Sequence, residues 1–291
     1  MGTWGAALYE DDSASDLKNT LALLCKVPVD GERLLNYLKQ LHGERDPADG
    51  DDAFFWLVTA DQFEKRGIGC AEVSANALAI IENGLDLENA GDRGADEKFL
   101  DKRARVLNEL AARLKSPRPL RERKTSAKLP DMVVQTGEVY AFPTMQGMGW
   151  NPYRHLAEGS FKPDGWSAMV VLDTGRMFDW LPWCALASLS VDPVAKPSLH
   201  DAVCGQMIFH LQTLGAGRFV PKRKHAQGLG LELLGHVRLD PVLVAPHLSK
   251  WPVSTAVSFD WSMAYAAYSG TYKGLPVGCE LEKLLMSEYA K

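Results

Sequence analysis

The sequence predicts an α+β fold: an all-α N-terminal domain, then a mostly antiparallel β-sheet domain with one or two helices. Three observations predict it. Up to residue 115, apolar residues recur at three- and four-residue intervals between capping residues and glycine stops. From Ser116 to Lys124 the chain carries two prolines and many charges and has little to bury, the signature of a linker. Beyond Asp131, short apolar runs alternate with polar residues between turn-forming clusters. The boundaries follow as a helical domain over 1–115, a basic linker over 116–130 and a β-rich domain over 131–291.

In the first domain, Ser13 and Asp16 read as a capping-box-like start. Leu17, Leu21 and Leu24 then share one helix face until Pro28 ends the run. Asp30 caps a second helix with Leu34, Leu35, Leu38 and Leu41 on one face, closed by Gly43. Glu44–Asp52, acidic and holding Pro47 and Gly50, reads as an exposed loop. A third helix carries Phe54, Phe55, Leu57, Val58 and Phe63 and ends at Gly67. A fourth carries Val73, Ala77, Ile80 and Ile81, with Gly84 where a left-handed cap is wanted. The last runs from about Ala95 to Lys115, with Phe99, Val106, Leu110 and Leu114 inward. Its basic final turns suit the negative end of the helix dipole. Upstream, Trp4, Leu8 and Tyr9 need apolar surface, so the N-terminal segment is expected to dock as a staple for the first helix. Glu10–Asp12 would then favour the positive end of that helix.

In the second domain, Val133–Phe142 and Trp166–Leu172 read as strands. Asp173-Thr-Gly175 reads as a turn with Met177–Trp180 returning from it. Ala185–Val191, Leu231–Leu239 and Val253–Phe259 are further strands, with helices expected over Ser198–Leu214 and Cys279–Tyr289. Gly147–Gly149 and Gly215–Gly217 read as loops.

Composition limits the function. At 46% hydrophobic and 24% charged residues, the chain has the balance of a globular protein, and no apolar run has membrane-spanning length. The five cysteines are scattered and no CxxC occurs, which points to reduced thiols, mostly buried, in a cytoplasmic protein. Residues 1–100 carry 9 Lys and Arg against 20 Asp and Glu, residues 101–130 carry 10 against 3, and the remainder 13 against 14. The acidic first third disfavours nucleic acid and suits a basic protein partner, although acidic faces also simply keep proteins soluble. The arginines and lysine at 118, 121, 123 and 124 read first as a hydrated connector.

Catalytic signals are sparse. Val170-Val-Leu-Asp173-Thr-Gly175 carries the letters of an aspartic-protease run, but Arg176 replaces the small residue that should follow, and a hairpin explains the same letters. His200, Cys204 and His210 fall at i, i+4 and i+10, too few ligands for structural zinc; a half-buried histidine and a core cysteine account for them. There is no GxSxG, no phosphate-binding loop lysine and no dinucleotide fingerprint. Lys222–His225 reads as a basic loop. Trp166, Phe178, Trp180 and Trp183 are read mostly as sheet core, while Tyr265, Tyr268 and Tyr272 suit contact loops.

The run Trp4-Gly-x-x-Leu8-Tyr9-Glu10-Asp11-Asp12 before a helix resembles the opening of a bacterial domain of unknown function. Members of that family place a second glycine where this chain has Ala7. The resemblance continues through Ile81-Glu-Asn-Gly84-x-Asp86-Leu87 to Ser116-Pro117. Thr136-Gly-Glu-Val-Tyr-Ala-Phe-Pro143 is similar to the opening strand of immunity proteins from polymorphic-toxin systems. The resemblance implies an immunity protein that occludes a cognate toxin, with no cofactor, no metal and no catalytic residue of its own. It implies no nucleic-acid or membrane partner. Asp46, Asp49, Asp51 and Asp52 are the expected acidic rim, with Trp180, Trp183, Tyr265, Tyr268 and Tyr272 as the aromatic candidates. The alternatives are a hydrolase built on the Asp173 or His200 region, an immunity enzyme that reverses a toxin's modification, and a scaffold or sensor module.

Overall fold

The computed structural model describes residues 5–116, 123–147, 149, 161–209, 215–250, 253 and 277–286. The chain divides into two compact units, Met1–Lys128 and Leu129–Lys291, and the fold is α+β.

The first unit is helical. Its described helices are α1 (Asp12–Leu24), α2 (Gly31–His42), α3 (Ala53–Arg66), α4 (Ala71–Glu82), α5 (Leu85–Asp92) and α6 (Glu97–Lys115). Asp11, not Ser13, caps α1: its carboxylate accepts from the Ser13 and Ala14 amides, so the helix begins one residue before Ser13. Asp30 caps α2 through the Arg33 amide. Gly67 (φ 66°) closes α3 in the left-handed region, which costs a residue without Cβ little.

The interior helix is α3. Phe55 to Phe63 is buried without a break, including Thr59, Asp61 and Gln62. Leu17, Leu21, Leu24, Leu34, Leu35 and Leu38 are buried as their spacing predicts. On α6 the buried positions are Leu107, Leu110 and Ala111, so the inward face is turned from the expected one: Phe99, Val106 and Leu114 are only half-buried. Helix α5 was not expected from the sequence, and none of its residues is buried. The end of the linker is docked rather than hydrated. Arg123 donates to the Val27 carbonyl (2.8 Å) and to that of Val29, and the Ser126 amide donates to Lys26 (2.9 Å). Arg118 and Arg121 lie outside the described residues.

The second unit is built on an antiparallel sheet ordered β6-β1-β2-β3-β4-β7, with β5 also paired to β3. The strands are β1 (Glu138–Thr144), β2 (Gly165–Met177), β3 (Leu181–Leu189), β4 (Gln206–Ile208), β5 (Arg218–Phe219), β6 (Glu232–His236) and β7 (Val277–Glu280). Both faces are buried. Val170, Leu172, Ala185, Ala187 and Leu189 face one cluster, which takes Ala202 from α7 (Leu199–Val203), Val244 from α9 (Pro241–Val244) and Leu281 and Leu284 from a 3-10 turn. Met169, Val171, Cys184, Leu186 and Phe219 face the other, which α8 (Arg223–Leu229) covers with Ala226 and Leu229. Burial of both faces explains why the central strands read as continuous apolar runs.

Several expectations for this unit are corrected. Asp173-Thr174-Gly175 is not a turn: β2 runs straight through it, paired with Ala185, Cys184 and Trp183, past a bulge after Val171. Gly175 is there because the Trp183 indole lies on it; a Cβ would come within 2.6 Å of the ring. The reversal falls at Phe178 and Asp179, both at φ 56°, and the Trp180 amide donates to the Met177 carbonyl (3.1 Å). Over the described part of the helix expected at Ser198–Leu214 there is one turn, α7, followed by β4, because Gly205 brings the chain against Ser190 and into the sheet; residues 210–214 lie outside the described residues. Lys222–His225 is no loop: Arg223–His225 form the first turn of α8, and Lys222 immediately precedes it. Cys279 lies in β7, and Leu281–Leu284 is a 3-10 turn rather than part of a helix. The expected strand over Val253–Phe259 lies outside the described residues apart from Val253, as do residues 287–289 of the expected last helix.

Asp179 is exposed and carries a left-handed backbone that L-residues pay about 1 kcal/mol or more to hold. Asp179→Gly is expected to stabilise the protein by roughly 0.5–1 kcal/mol, after allowing for the greater unfolded-state entropy of glycine. Urea titration followed by tryptophan fluorescence checks it; a lower midpoint would refute the strained-turn reading.

Candidate binding cleft

Within the helical unit, the N-terminal segment, the 45–52 loop with the start of α3, α5 and the start of α6 line a cleft of about 890 Å³. The loop is folded by its own acids. The Asp46 carboxylate accepts from the Ala48 amide and that of Asp49 from the Asp51 amide, both at 2.9 Å. The Asp52 carboxylate accepts from the Asp46 amide (3.0 Å) and pairs with Arg45 Nη1 (2.7 Å). These are the short side-chain-to-backbone bonds that aspartate makes readily in turns.

Helix α5 then pins the loop. Asn89 Nδ2 (3.0 Å) and Arg93 Nη2 (2.5 Å), one helical turn apart, both reach Asp51 Oδ1. Asn89, and next Arg93, hold the Asp51 carboxyl below its ordinary range. Gly50 lies so close to Asn89 that a Cβ would meet its side-chain nitrogen at 2.5 Å.

The opposite wall is set by Arg103 on α6, which grips Asp86 with Nε and Nη2 at 2.8 and 2.9 Å and donates through Nη1 to the Ala7 carbonyl at 3.1 Å. That fork is largely shielded, with side-chain exposures of 12% and 10% for Arg103 and Asp86, so it locks geometry in a way a solvated pair does not.

Below the cleft, a buried charge network seats the same N-terminal segment. Asp61 on α3 is 1% exposed, and its carboxylate accepts from Arg113 Nη2 and Lys65 Nζ, both at 2.7 Å, and from the Tyr9 hydroxyl. Arg113 Nη1 also reaches Glu64 (2.8 Å). Lys18 and Lys65 approach the Tyr9 ring at 4.5 and 5.4 Å. Burial pushes the Asp61 carboxyl up, but the bonds from Lys65, Tyr9 and Arg113 outweigh it and leave it below its ordinary range. Burial, reinforced by Asp61, pushes the Tyr9 phenol well above its ordinary value. Tyr9 therefore docks through its hydroxyl as well as its ring. Trp4 lies outside the described residues.

Of the nine candidate residues, the fold brings Asp46, Asp49, Asp51 and Asp52 together in one loop, and Asp51 and Asp52 line the cleft. Trp180 and Trp183 belong to the sheet unit. Both are half-buried; Trp183 is seated on Gly175 with the Arg218 guanidinium 5.6 Å above its ring, and Trp180 closes the hairpin. Tyr265, Tyr268 and Tyr272 lie outside the described residues. Asp173 sits inside β2, where its carboxylate accepts from the Thr174 amide at 2.8 Å. His200 is exposed, with Nε2 3.9 Å from the Sγ of Cys204. Cys204 is exposed too and Cys279 half-buried, so the expectations of a half-buried histidine at 200 and a core cysteine at 204 are corrected, while His210 lies outside the described residues; Cys25, Cys70 and Cys184 are buried. Among the described residues, no group of three His, Cys, Asp or Glu side chains could hold a metal ion, and no helix is long and apolar enough to cross a membrane.

Asn89, Arg93, Asp86 and Arg103 were not anticipated as parts of a site. The one local cue was the four-residue spacing that puts Asn89 and Arg93 on one helix face. No family model matches the chain, and no curated protein or solved structure matches it.

Asp61→Asn keeps the shape but removes the buried charge that Arg113 and Lys65 face, and is expected to cost about 3 kcal/mol at pH 7. A depressed carboxyl contributes stability above its unfolded value of about 4, and that contribution is lost as pH falls through the lower folded value. The gap between wild type and variant should therefore narrow below about pH 4. Urea titrations by circular dichroism at several pH values measure this; a gap that stays constant into acid would show that the Asp61 charge is not what counts.

Proposed function

We propose that this chain is a cytoplasmic immunity protein that neutralises a cognate bacterial toxin by binding it and occluding its active site. The observation that carries the reading is the prefolded acidic loop at the cleft. Asp46, Asp49 and Asp51 are exposed, and each is fixed by hydrogen bonds to its own loop or to α5 before any partner arrives. A rigid acidic surface speeds association with a basic protein and costs little ordering on binding. The resemblance of the Thr136–Pro143 segment to immunity proteins of polymorphic-toxin systems supports the same reading, as does the acidic excess of residues 1–100. Binding of this kind needs no catalytic step, metal or cofactor. Nucleic acid and membranes are poor partners for so acidic a surface.

The partner to test is the product of the open reading frame adjacent to this gene. Co-expression should protect the host cell and yield a complex that co-purifies. In the triple variant Asp46→Asn/Asp49→Asn/Asp51→Asn, the asparagines keep the turn bonds but remove three charges. It should associate about tenfold more slowly at low salt, with the difference closing at high salt. Absence of both protection and complex would sink the proposal. An unchanged association rate would move the interface away from the acidic loop, to the Trp180 and Tyr265–Tyr272 region of the chain.

A further inference from the structure

Outside the cleft, the sheet unit brings a thiol and an imidazole together across a long stretch of chain. Cys279 Sγ on β7 lies 3.7 Å from His247 Nε2, at the end of a 3-10 turn, and both residues are half-buried. The contact is held from several sides. The His247 carbonyl accepts from the Ala216 amide at 2.8 Å, and the Ser249 amide returns to the Ala216 carbonyl at 3.0 Å. Gly215 lies so close to this backbone that a Cβ would meet the His247 oxygen at 2.9 Å. The imidazole stacks on Phe209, with centroids 6.1 Å apart and planes 24° apart. Phe209 in turn fits over Gly278, where a Cβ would come within 2.9 Å of its ring. The residue next to the cysteine thus leaves room for the aromatic that orients the histidine. On the other side, Lys283 pairs at 2.6 Å with Glu280, the residue that follows Cys279.

A thiol with a base at hydrogen-bonding distance, that base itself fixed by neighbouring groups, is the arrangement that makes sulfur nucleophilic. Among the described residues, a second thiol–imidazole pair, Cys204 and His200, is looser. It sits at 3.9 Å, both residues are exposed, and the single helical turn of α7 is its only frame. The remaining cysteines, Cys25, Cys70 and Cys184, are buried.

We propose that Cys279 is a nucleophilic thiol, with His247 as its general base, and a site of covalent modification by soft carbon electrophiles. In the step itself, Sγ forms a bond to the electrophilic carbon, the leaving group departs with its electron pair, and the thiol proton passes to His247 Nε2. This inference stands apart from the toxin-binding reading, which uses residues of the helical unit.

Iodoacetamide is the probe, the full-length folded protein is the sample, and the rate at each cysteine is read by peptide mass spectrometry at pH 7. Cys279 should alkylate faster than free glutathione despite its burial. His247→Gln should slow it about tenfold while leaving the Cys204 rate unchanged. His247→Ala, checked for native circular dichroism, should regain much of the lost rate when free imidazole is added, which a merely structural role would not allow. If His247→Ala fails to fold, the glutamine variant decides alone. A Cys279 rate at or below that of glutathione, or one indifferent to His247→Gln, would overturn the assignment.

Discussion

The helical unit is organised around a charge that has nowhere to go. Asp61 lies on α3, a helix buried nearly all round, so its carboxylate must be neutralised by whatever packs against that helix. An isolated buried carboxylate is prohibitively costly, and only good geometry with full hydrogen bonding makes it tolerable. The partners that supply this come from three places: Lys65 on the next turn of α3, Arg113 near the end of α6 and Tyr9 in the N-terminal segment. Arg113 doubles the linkage through Glu64. The packing of α6 and the seat of the segment around Tyr9 are thereby tied to one residue. The cleft inherits the arrangement, because Arg103 on the same helix holds the same segment by the Ala7 carbonyl.

The helical third was largely legible because its instructions are local. Asp30, Gly43, Gly67 and Gly84 act within a residue or two of where they stand, and the leucine stripes of α1 and α2 reach the core as spaced except at Leu41, which is half-buried. Helix α5 escaped because it buries nothing, so no stripe marks it; it is held by Arg103 on Asp86 and by the loop on Asn89 and Arg93. The acidic loop itself was legible as a loop. Its function as one wall of a cleft was not, since its partners lie about forty residues further along the chain.

The sheet unit was harder to read, and its errors have a common cause. Strands β4 and β5 and helices α7 and α9 are too short to stand on local propensity, and exist because the sheet and its two covering layers hold them. Asp173-Thr-Gly175 carries strong turn letters, yet the glycine answers a demand from the neighbouring strand. Phe178-Asp179 carries weak ones and makes the turn, because the paired strands on either side leave it no other conformation. The Cys279–His247 contact was invisible for the same reason: thirty-two residues separate its members, and nothing near either of them announces the other.

The seat that Gly175 provides for Trp183 has an evolutionary corollary. Where one residue is small only because its neighbour is large, the two cease to be independent characters. In related chains, a side chain at the position of Gly175 should arrive together with a loss of bulk at that of Trp183, and the Arg218 guanidinium that lies over the indole should drift in the same company. Such a trio would be inherited as a unit across sequences too divergent to align by eye. It would mark this hairpin more durably than any single residue within it.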